Sequence, residues 1–194
     1  MKKRIFSVFA PLCAFSLTAQ AECHEIAGVK VPDTISVEGN ELNFNGGGIR
    51  SKWWMSLYVG GLYLPEELHG TSDAQKIISA DKPMAITMDI VSSMITSDRM
   101  TSATVEGFKN ATGGNTAPIQ EEIDEFMGVF DEEIETGDHF RIAHISDKGI
   151  LVYRNGEQTG SVEGGMEFKE AVFGIWLSHN PAQVGVKNAM LGKN

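Results

Sequence analysis

Apolar residues in this sequence recur with two different periods, one typical of strands and one typical of helices. The order of these regions along the chain is the feature that most constrains the fold. From Ile35 to Ile90, with one short helical interruption, apolar residues alternate with other residues as they do along β-strands. The same period returns from His139 to Val162, whereas apolar residues in the segments that follow each of these regions recur every three or four positions, as on a helix face. This order predicts an α+β domain with helices grouped against an antiparallel sheet.

Turn and cap residues set the expected element boundaries. Gly39-Asn40 and Asn155-Gly156 predict hairpin turns, and Gly60-Gly61 predicts a bulge or bend inside the strand region Ile49 to Leu64. Ser72 is the expected cap of a short helix. Four further helices are predicted at Thr96 to Thr112, Pro118 to Gly137, Gly165 to about Asn180, and Pro181 to Leu191.

The first residues have the pattern of a cleaved secretory signal. A basic start from Lys2 to Arg4 precedes an apolar run from Ile5 to Leu17, and Ala19 to Ala21 supplies small residues for cleavage. The run is shorter than the ~20 apolar residues of a membrane-spanning helix, and no later segment is apolar enough to span. The sequence therefore predicts a signal peptide at residues 1–21, one domain at residues 22–194, and a periplasmic or secreted protein.

Composition and motifs exclude several classes of function. The net charge of −10 becomes three units more negative when the signal is removed, which argues against nucleic acid and anionic membrane surfaces as partners. Cleavage leaves Cys23 as the one cysteine, so no internal disulfide is expected, and Glu22 before it does not suit lipidation. The histidines are scattered, and the acidic run from Glu121 to Glu135 lacks the pattern of a calcium loop, so no metal or cofactor is predicted.

The segment Asn45 to Pro65, NGGGIRSKWWMSLYVGGLYLP, raises the main functional question. Its glycines precede a strand rather than a helix, so they do not form a phosphate-binding loop. Strand alternation would place Arg50 on one face with Trp54, Ser56 and Tyr58. On a buried face the guanidinium needs an acidic partner or a ligand anion, whereas on a solvated face its stem packs across Trp54. Periodicity leaves both positions open.

Three stretches carry a resemblance to a known family. They are GGGIRSKWWMSLYVGGLYLP from Gly46, IVSSMITSDRM from Ile90 and EFKEAVFGIWLSHNPAQVGVKNAMLG from Glu167. In this order, over nearly the whole mature chain, the sequence resembles the chalcone isomerase family, and more closely its exported bacterial chalcone isomerase-like members. The resemblance implies an open-faced sandwich, a large antiparallel sheet covered on one face by a layer of helices, with the ligand cleft between them. Its glycines are then expected to bend the backbone where Arg50 enters that cleft.

The resemblance also implies the site residues. Plant enzymes of the family close a chalcone to a flavanone beside an arginine, and Arg50 matches that arginine by its place after the glycines. Tyr58 falls where those enzymes have threonine, and fatty-acid-binding members hold a carboxylate with an arginine and a tyrosine. Two assisting hydrogen-bond positions fall near Met100 and Gly107, which cannot donate. The implied ligand contacts are Arg50, Tyr58, Trp54, Met100, Thr104 and Trp176.

Three functional hypotheses follow. The first is an exported, non-catalytic protein that binds a small apolar acid, such as a fatty acid, with its carboxylate on Arg50 and Tyr58. The second is an isomerase of the intramolecular lyase type, with Arg50 as electrophile and Tyr58 or Thr101 as proton donor. The third is a protein interaction module in which Trp53 and Trp54 form an exposed patch.

Overall fold

Seven antiparallel strands form a meander that carries the rest of the fold. The computed structural model describes residues 23–193, so the predicted signal peptide lies outside the described residues. The strands are β1 (Cys23–Ile26), β2 (Val29–Pro32), β3 (Thr34–Val37), β4 (Asn40–Lys52), β5 (Met55–Leu64), β6 (Met84–Ile90), β7 (His139–Ile145), β8 (Gly149–Arg154) and β9 (Glu157–Val162). Strands β3 to β9 pair in chain order, and β1 and β2 form a separate hairpin.

The α-helices of the described chain lie in three places between or after these strands. They are α1 (Ala74–Ser79), α2 (Ser97–Ala111), α3 (Gln120–Met127), α4 (Met166–Leu177) and α5 (Val184–Met190). Short 3-10 helices at Ala117–Ile119 and Gly128–Phe130 flank α3. In residues 23–193 no helix combines the length and the apolar character needed to cross a membrane.

The helices cover one face of the sheet. Alternate strand residues such as Leu62, Ile86 and Ile142 point toward the helices and are almost fully buried there. Residues of the opposite face, among them Tyr63, pack with the β1–β2 hairpin, and the Tyr63 hydroxyl donates to the Pro32 carbonyl at 2.9 Å. The predicted α+β architecture, a large antiparallel sheet with a helical layer on one face, is confirmed.

Helix α5 meets the sheet over the glycine-rich part of β4. A Cβ atom on Gly48 would lie 2.8 Å from the Cβ of Ala189, and one on Gly46 would collide with the Ala189 carbonyl. The glycines therefore make room for a helix. The β4–β5 pairing is irregular at two places, at Asn45, between the Phe44 and Gly46 pairings, and directly after Arg50, between the Arg50 and Ser51 pairings.

Several element boundaries agree with the sequence. The Thr96 side chain accepts from the Arg99 N–H at 3.4 Å and caps α2, as predicted. Asn155-Gly156 closes the β8–β9 hairpin, and α4 ends before Asn180.

Other boundaries differ from the prediction. Asp73, rather than Ser72, caps α1, with its carboxylate accepting from two backbone N–H groups at 3.0 and 3.2 Å. Gly60 and Gly61 pair regularly with Gly48 and Gly47, so no bulge lies there. The first turn of the sheet is Glu38-Gly39 rather than Gly39-Asn40, and the last helix begins at Val184 rather than Pro181.

The helix predicted from Pro118 to Gly137 ends at about Phe130. Beyond that point the Arg154 side chain, on β8, holds the chain by donating to the Glu133 carbonyl and, at 2.6 Å, to the Asp138 carboxylate. Asp138 also accepts from the Glu135 N–H at 2.8 Å. This long-range network draws the segment to the edge of the sheet, and a local apolar pattern cannot reveal it.

Candidate ligand-binding site

The β4–β5 hairpin places Arg50 directly opposite Tyr58. The two residues pair across the strands and share the face that looks toward the helices. The Arg50 guanidinium carbon lies 5.6 Å from the centre of the Tyr58 ring, within the range of a cation–π contact. Tyr58 is only 2% exposed, whereas Arg50 is half-buried.

A bulge and a tight turn decide which neighbours accompany this pair. Arg50 pairs with Tyr58 but Ser51 pairs with Ser56, so Leu57 is an extra residue in β5. The bulge brings Leu57 to the same cavity as Tyr58. Trp53 and Trp54 form the hairpin turn, so the expected continuous alternation through this segment is wrong.

Tyr58 is anchored from the helix side by Trp176 of α4. The indole Nε1 of Trp176 donates to the Tyr58 hydroxyl oxygen at 2.8 Å, and both side chains are buried. Burial raises the pKa of Tyr58, against the opposing effects of the Arg50 charge and the hydrogen bonds from Trp176 and Arg50. The phenol is therefore neutral at pH 7, and because its oxygen already accepts from Trp176, its own proton can be donated elsewhere.

A cavity of about 400 Å³ opens above this pair, between the β4–β5 hairpin and α2. Much of its wall is apolar, with Leu57, Met94, Ile95, Met100 and Ala103 among its lining residues. A second space of only about 20 Å³ lies deeper, beside Thr104 and Trp176, and shares Arg50, Tyr58 and Met100 with the larger one. The site thus consists of a roomy outer chamber and an almost closed inner end.

The outer chamber is basic in a chain that is acidic as a whole. Arg50, Lys52 and Arg99 line it with one acid, Glu106, although the chain carries 26 acidic and 16 basic residues. Arg99 donates to the Met94 carbonyl at 2.9 Å. Among residues 23–193 no carboxylate forms an ion pair with Arg50. A half-buried guanidinium without a protein anion is suited to an anionic ligand.

The structure brings together most of the residues that the sequence pointed to. Arg50, Tyr58 and Met100 line both spaces, and Thr104 and Trp176 line the inner one. Trp54 is placed outside the lining, 85% exposed at the hairpin turn. Its neighbour Trp53 lines the outer chamber instead.

Gly107, one of the two positions where the resemblance expects a hydrogen-bond donor, serves helix packing. A Cβ atom there would lie 2.8 Å from the Ile175 side chain, so the glycine lets α2 approach α4 closely. Thr101 is not among the lining residues.

Sequence reasoning missed Arg99, the cationic residue that α2 contributes to the chamber. Arg99, Ala103 and Glu106 line the outer chamber at spacings of four and three residues, which is one face of a helix. This spacing was a usable signal. No group of three or more His, Cys, Asp or Glu side chains in the described chain is arranged to hold a metal ion.

Comparisons with known proteins agree with this architecture. The model of a family described as chalcone isomerase-like matches residues 23–192, so the chain belongs to the chalcone isomerase-like family. Among solved structures, a fatty-acid binding protein of Arabidopsis thaliana has the same fold, with a TM-score of 0.64 and 17% sequence identity, over 84% of this chain and 92% of that one. No curated protein sequence matches the chain.

Proposed function

We propose that this protein binds a small apolar acid, such as a fatty acid, and does not transform it. The observation that carries the proposal is Arg50, a guanidinium with no ion-paired carboxylate in the described chain, beside the neutral phenol of Tyr58 in a largely apolar chamber of about 400 Å³. A chamber of this size and lining suits a small molecule with one charged group.

The acid head lies at Arg50 and Tyr58. A guanidinium can donate two parallel hydrogen bonds to a carboxylate. The Tyr58 hydroxyl can donate a third, because its oxygen accepts from the Trp176 N–H and its proton is left for the ligand. Lys52 and Arg99 add positive charge around the chamber, which favours the ionised over the protonated acid.

The apolar tail lies in the outer chamber, against Leu57, Ile95, Met100 and Ala103. The inner space of about 20 Å³ is too small to hold a chain, and the bulky indole of Trp176 is part of its wall. The tail therefore runs outward along α2, and Trp176 limits how deeply any ligand enters.

The isomerase alternative lacks support at the positions that would assist ring closure. Met100 presents an apolar side chain to the chamber, and Gly107 is covered by Ile175. Preorganised donors at the developing charge each contribute about 10²-fold or more to a rate, so their absence favours binding over turnover. The fatty-acid binding protein of the same fold is consistent with this choice.

The predicted signal peptide at residues 1–21 supports ligand capture outside the cytoplasm. Fractionation of cells that express the full chain tests this part of the proposal. We expect the mature protein in the periplasm or medium, beginning at Glu22, and a full-length cytoplasmic product would contradict it.

Calorimetric titration with dodecanoate and with dodecanol tests the binding proposal. Arg50→Met should weaken dodecanoate binding about 10- to 100-fold, because a hydrogen bond to a charged group contributes roughly 1.5–3 kcal/mol. Dodecanol, which has no charge, should bind the two proteins alike. Mass spectrometry of natively purified protein should also find an acid that Arg50→Met loses.

The matched control is Arg141→Met. Arg141 lies 5.8 Å from the ring of Tyr153 in an arginine–tyrosine contact like that of Arg50 and Tyr58, but away from the chamber. The Arg141→Met substitution should leave dodecanoate affinity unchanged. Equal affinity of Arg50→Met and the unmodified protein would overturn the proposal, and so would turnover of a chalcone that depends on Arg50.

A further inference from the structure

The turn at Trp53-Trp54 differs from the other two-residue hairpin turns of the described chain. Ala27-Gly28, Glu38-Gly39 and Asn155-Gly156 all have positive φ at both residues, with glycine at the second. Glycine at such positions is the ordinary solution, because it adopts positive φ without steric cost. The β4–β5 hairpin instead has two tryptophans and no glycine.

This turn is held in a costly conformation. Trp53 has φ of +58°, a left-handed value that is sterically unfavourable for a bulky residue. Both side chains are exposed, at 76% and 85%, and their rings stack with centres 6.0 Å apart. Trp53 also lines the chamber, but most of its surface and of that of Trp54 faces outward, and neither strand pairing nor core packing explains the pair. Two adjacent exposed indoles are suited to contact with a surface outside the protein.

The turn also marks the entrance to the ligand chamber. Trp53 and Lys52 line the chamber from the hairpin side, and Arg99 lines it from α2. The Lys52 ammonium lies 5.7 Å from the Trp53 ring centre, so the hairpin tip combines two indoles with a nearby positive charge. We call Lys52, Trp53 and Trp54 the tryptophan tip.

We propose that the tryptophan tip docks on the phospholipid surface of a membrane, so that the apolar acid passes between the membrane and the chamber. The proposal deepens the binding function above and rests on it for the identity of what is transferred. Tryptophan is enriched at membrane–water interfaces, where its ring lies among the headgroups and its N–H stays solvated. A long-chain acid is itself held in membranes, and the chamber opens beside the tip.

Charge selects the kind of membrane. Lys52 and Arg99 can approach lipid phosphates, but the chain as a whole has a net charge of −10. A zwitterionic surface offers phosphates without long-range repulsion of the acidic protein, whereas a strongly anionic one repels it. The partner is therefore a zwitterionic phospholipid surface, contacted weakly and reversibly by two indoles.

Vesicle binding without added fatty acid tests the docking by itself. Phosphatidylcholine vesicles should sediment part of the protein, and phosphatidylcholine brominated in its acyl chains should quench tryptophan emission. Trp53→Ser/Trp54→Ser should lower the partition coefficient about 10-fold or more, because it removes both of the side chains that favour the membrane–water interface. The single change Trp54→Ser should give an intermediate loss.

The control variant is Val184→Ser, which removes an apolar side chain that is also exposed, at the start of α5. It should partition like the unmodified protein. Circular dichroism checks that each variant is folded, and Trp54→Ser, whose side chain is 85% exposed, keeps the test decisive if the double variant unfolds.

Two results would overturn the docking proposal. One is equal partition of the double variant and the unmodified protein, or no partition of either. The other is concentration-dependent self-association without vesicles that the double variant loses, which would assign the tryptophan tip to a second copy of the chain. Dodecanoate titration without vesicles reports on the binding function separately, so the two proposals fail independently.

Discussion

Arg50 and Lys169 are both cationic residues drawn in from solvent, but their surroundings differ. The Lys169 side chain on α4 is fully buried, and its ammonium donates to the carbonyls of Ile77, Ile78 and Ala80 at 3.2, 2.6 and 2.7 Å. Arg50 faces a chamber and has no ion-paired carboxylate in the described chain. A buried cation whose donors are all used stabilises a fold, whereas one with donors to spare can hold a ligand.

Lys169 completes the end of a neighbouring helix. The last carbonyls of a helix lack the N–H donors that a further turn would supply, and the helix dipole makes this end negative. In α1 the Ile77 carbonyl accepts from the Ala80 N–H at 3.3 Å, and Lys169 supplies the further donors. Burial lowers the pKa of Lys169 to about 8, so at pH 7 most of the molecules still carry the charge. The lysine joins α1 to α4 from inside the helical layer.

The largest effect is expected from Lys169→Met. The substitution keeps an apolar stem of similar length but removes the ammonium donor from the Ile78 and Ala80 carbonyls, while Ile77 keeps the Ala80 N–H as a donor. A buried carbonyl left without a donor costs about 1–3 kcal/mol. We expect the free energy of unfolding, measured by urea denaturation, to fall by about 3 kcal/mol.

Lys187→Met is the matched control for Lys169→Met. The Lys187 ammonium donates to the Ser178 carbonyl at 2.7 Å, but Lys187 is half-exposed, so water can replace it. Its loss should cost less than about 1 kcal/mol. Equal losses for the two lysines would show that burial does not distinguish them.

Arg50→Met should change ligand binding and leave stability almost unchanged, the opposite of Lys169→Met. Because no protein carboxylate depends on Arg50, the free energy of unfolding should stay within about 0.5 kcal/mol of the original value. At one fixed concentration, dodecanoate should raise the Tm of the unmodified protein and of Arg141→Met by more than it raises the Tm of Arg50→Met. A stability loss as large as that of Lys169→Met would make Arg50 a structural residue.

Tyr58→Phe tests whether one residue can both stabilise the fold and bind the ligand. The change removes the acceptor of the buried Trp176 N–H, which should cost about 1–2 kcal/mol of stability. It also removes a donor to the carboxylate, which should weaken dodecanoate binding about 5- to 10-fold.

Trp176→Phe separates the two contributions of Tyr58. It removes the indole donor and leaves the Tyr58 hydroxyl in place, so the effect on the carboxylate should be smaller than that of Tyr58→Phe. If dodecanoate affinity falls equally in both variants, the phenol does not contact the acid.

The sequence predicts the surroundings of Arg50 better than those of Lys169, because the contacting residues are close in the sequence for Arg50 and far apart for Lys169. Arg50 and Tyr58 lie in one hairpin, and the family resemblance pointed to both. Lys169 could not be predicted as buried, because its acceptors lie about 90 positions earlier and belong to another helix. Lys169 lies beside Phe168 at the start of a helix that is apolar or glycine from Ala171 to Leu177, but the neighbouring Glu167 and Glu170 make that turn look solvated.

The details of the binding hairpin escaped the sequence for a local reason. Tryptophan is not a turn residue, so the pattern allows one or two strands from Ile49 to Leu64, marks no turn at Trp53 and Trp54, and places Trp54 on the face of Arg50. The bulge at Leu57 likewise has no glycine to mark it. The pair Gly60-Gly61 is typical of a bulge, but here Gly60 makes room for Met190 of α5.

The smallest effect expected is a pH dependence that belongs to the Lys169 region and not to the ligand site. His144 is 3% exposed, and its Nε2 lies 3.0 Å from the carboxylate of Asp81. Burial lowers the pKa of His144 below its usual 6.5, helped by the Lys169 charge and opposed by Asp81. As the pH falls through 6.5, the unfolded chain therefore takes up a proton that the folded chain resists, and the free energy of unfolding decreases until the folded pKa is reached.

Urea denaturation at pH 7.5 and 5.5 should show this loss of stability. His144→Gln should reduce the loss, while His179→Gln, at an exposed position, should leave it unchanged. An undiminished loss in His144→Gln would move the pH sensitivity to another group, whereas a reduced one would show that the region built around a satisfied cation is also where the fold responds to protons.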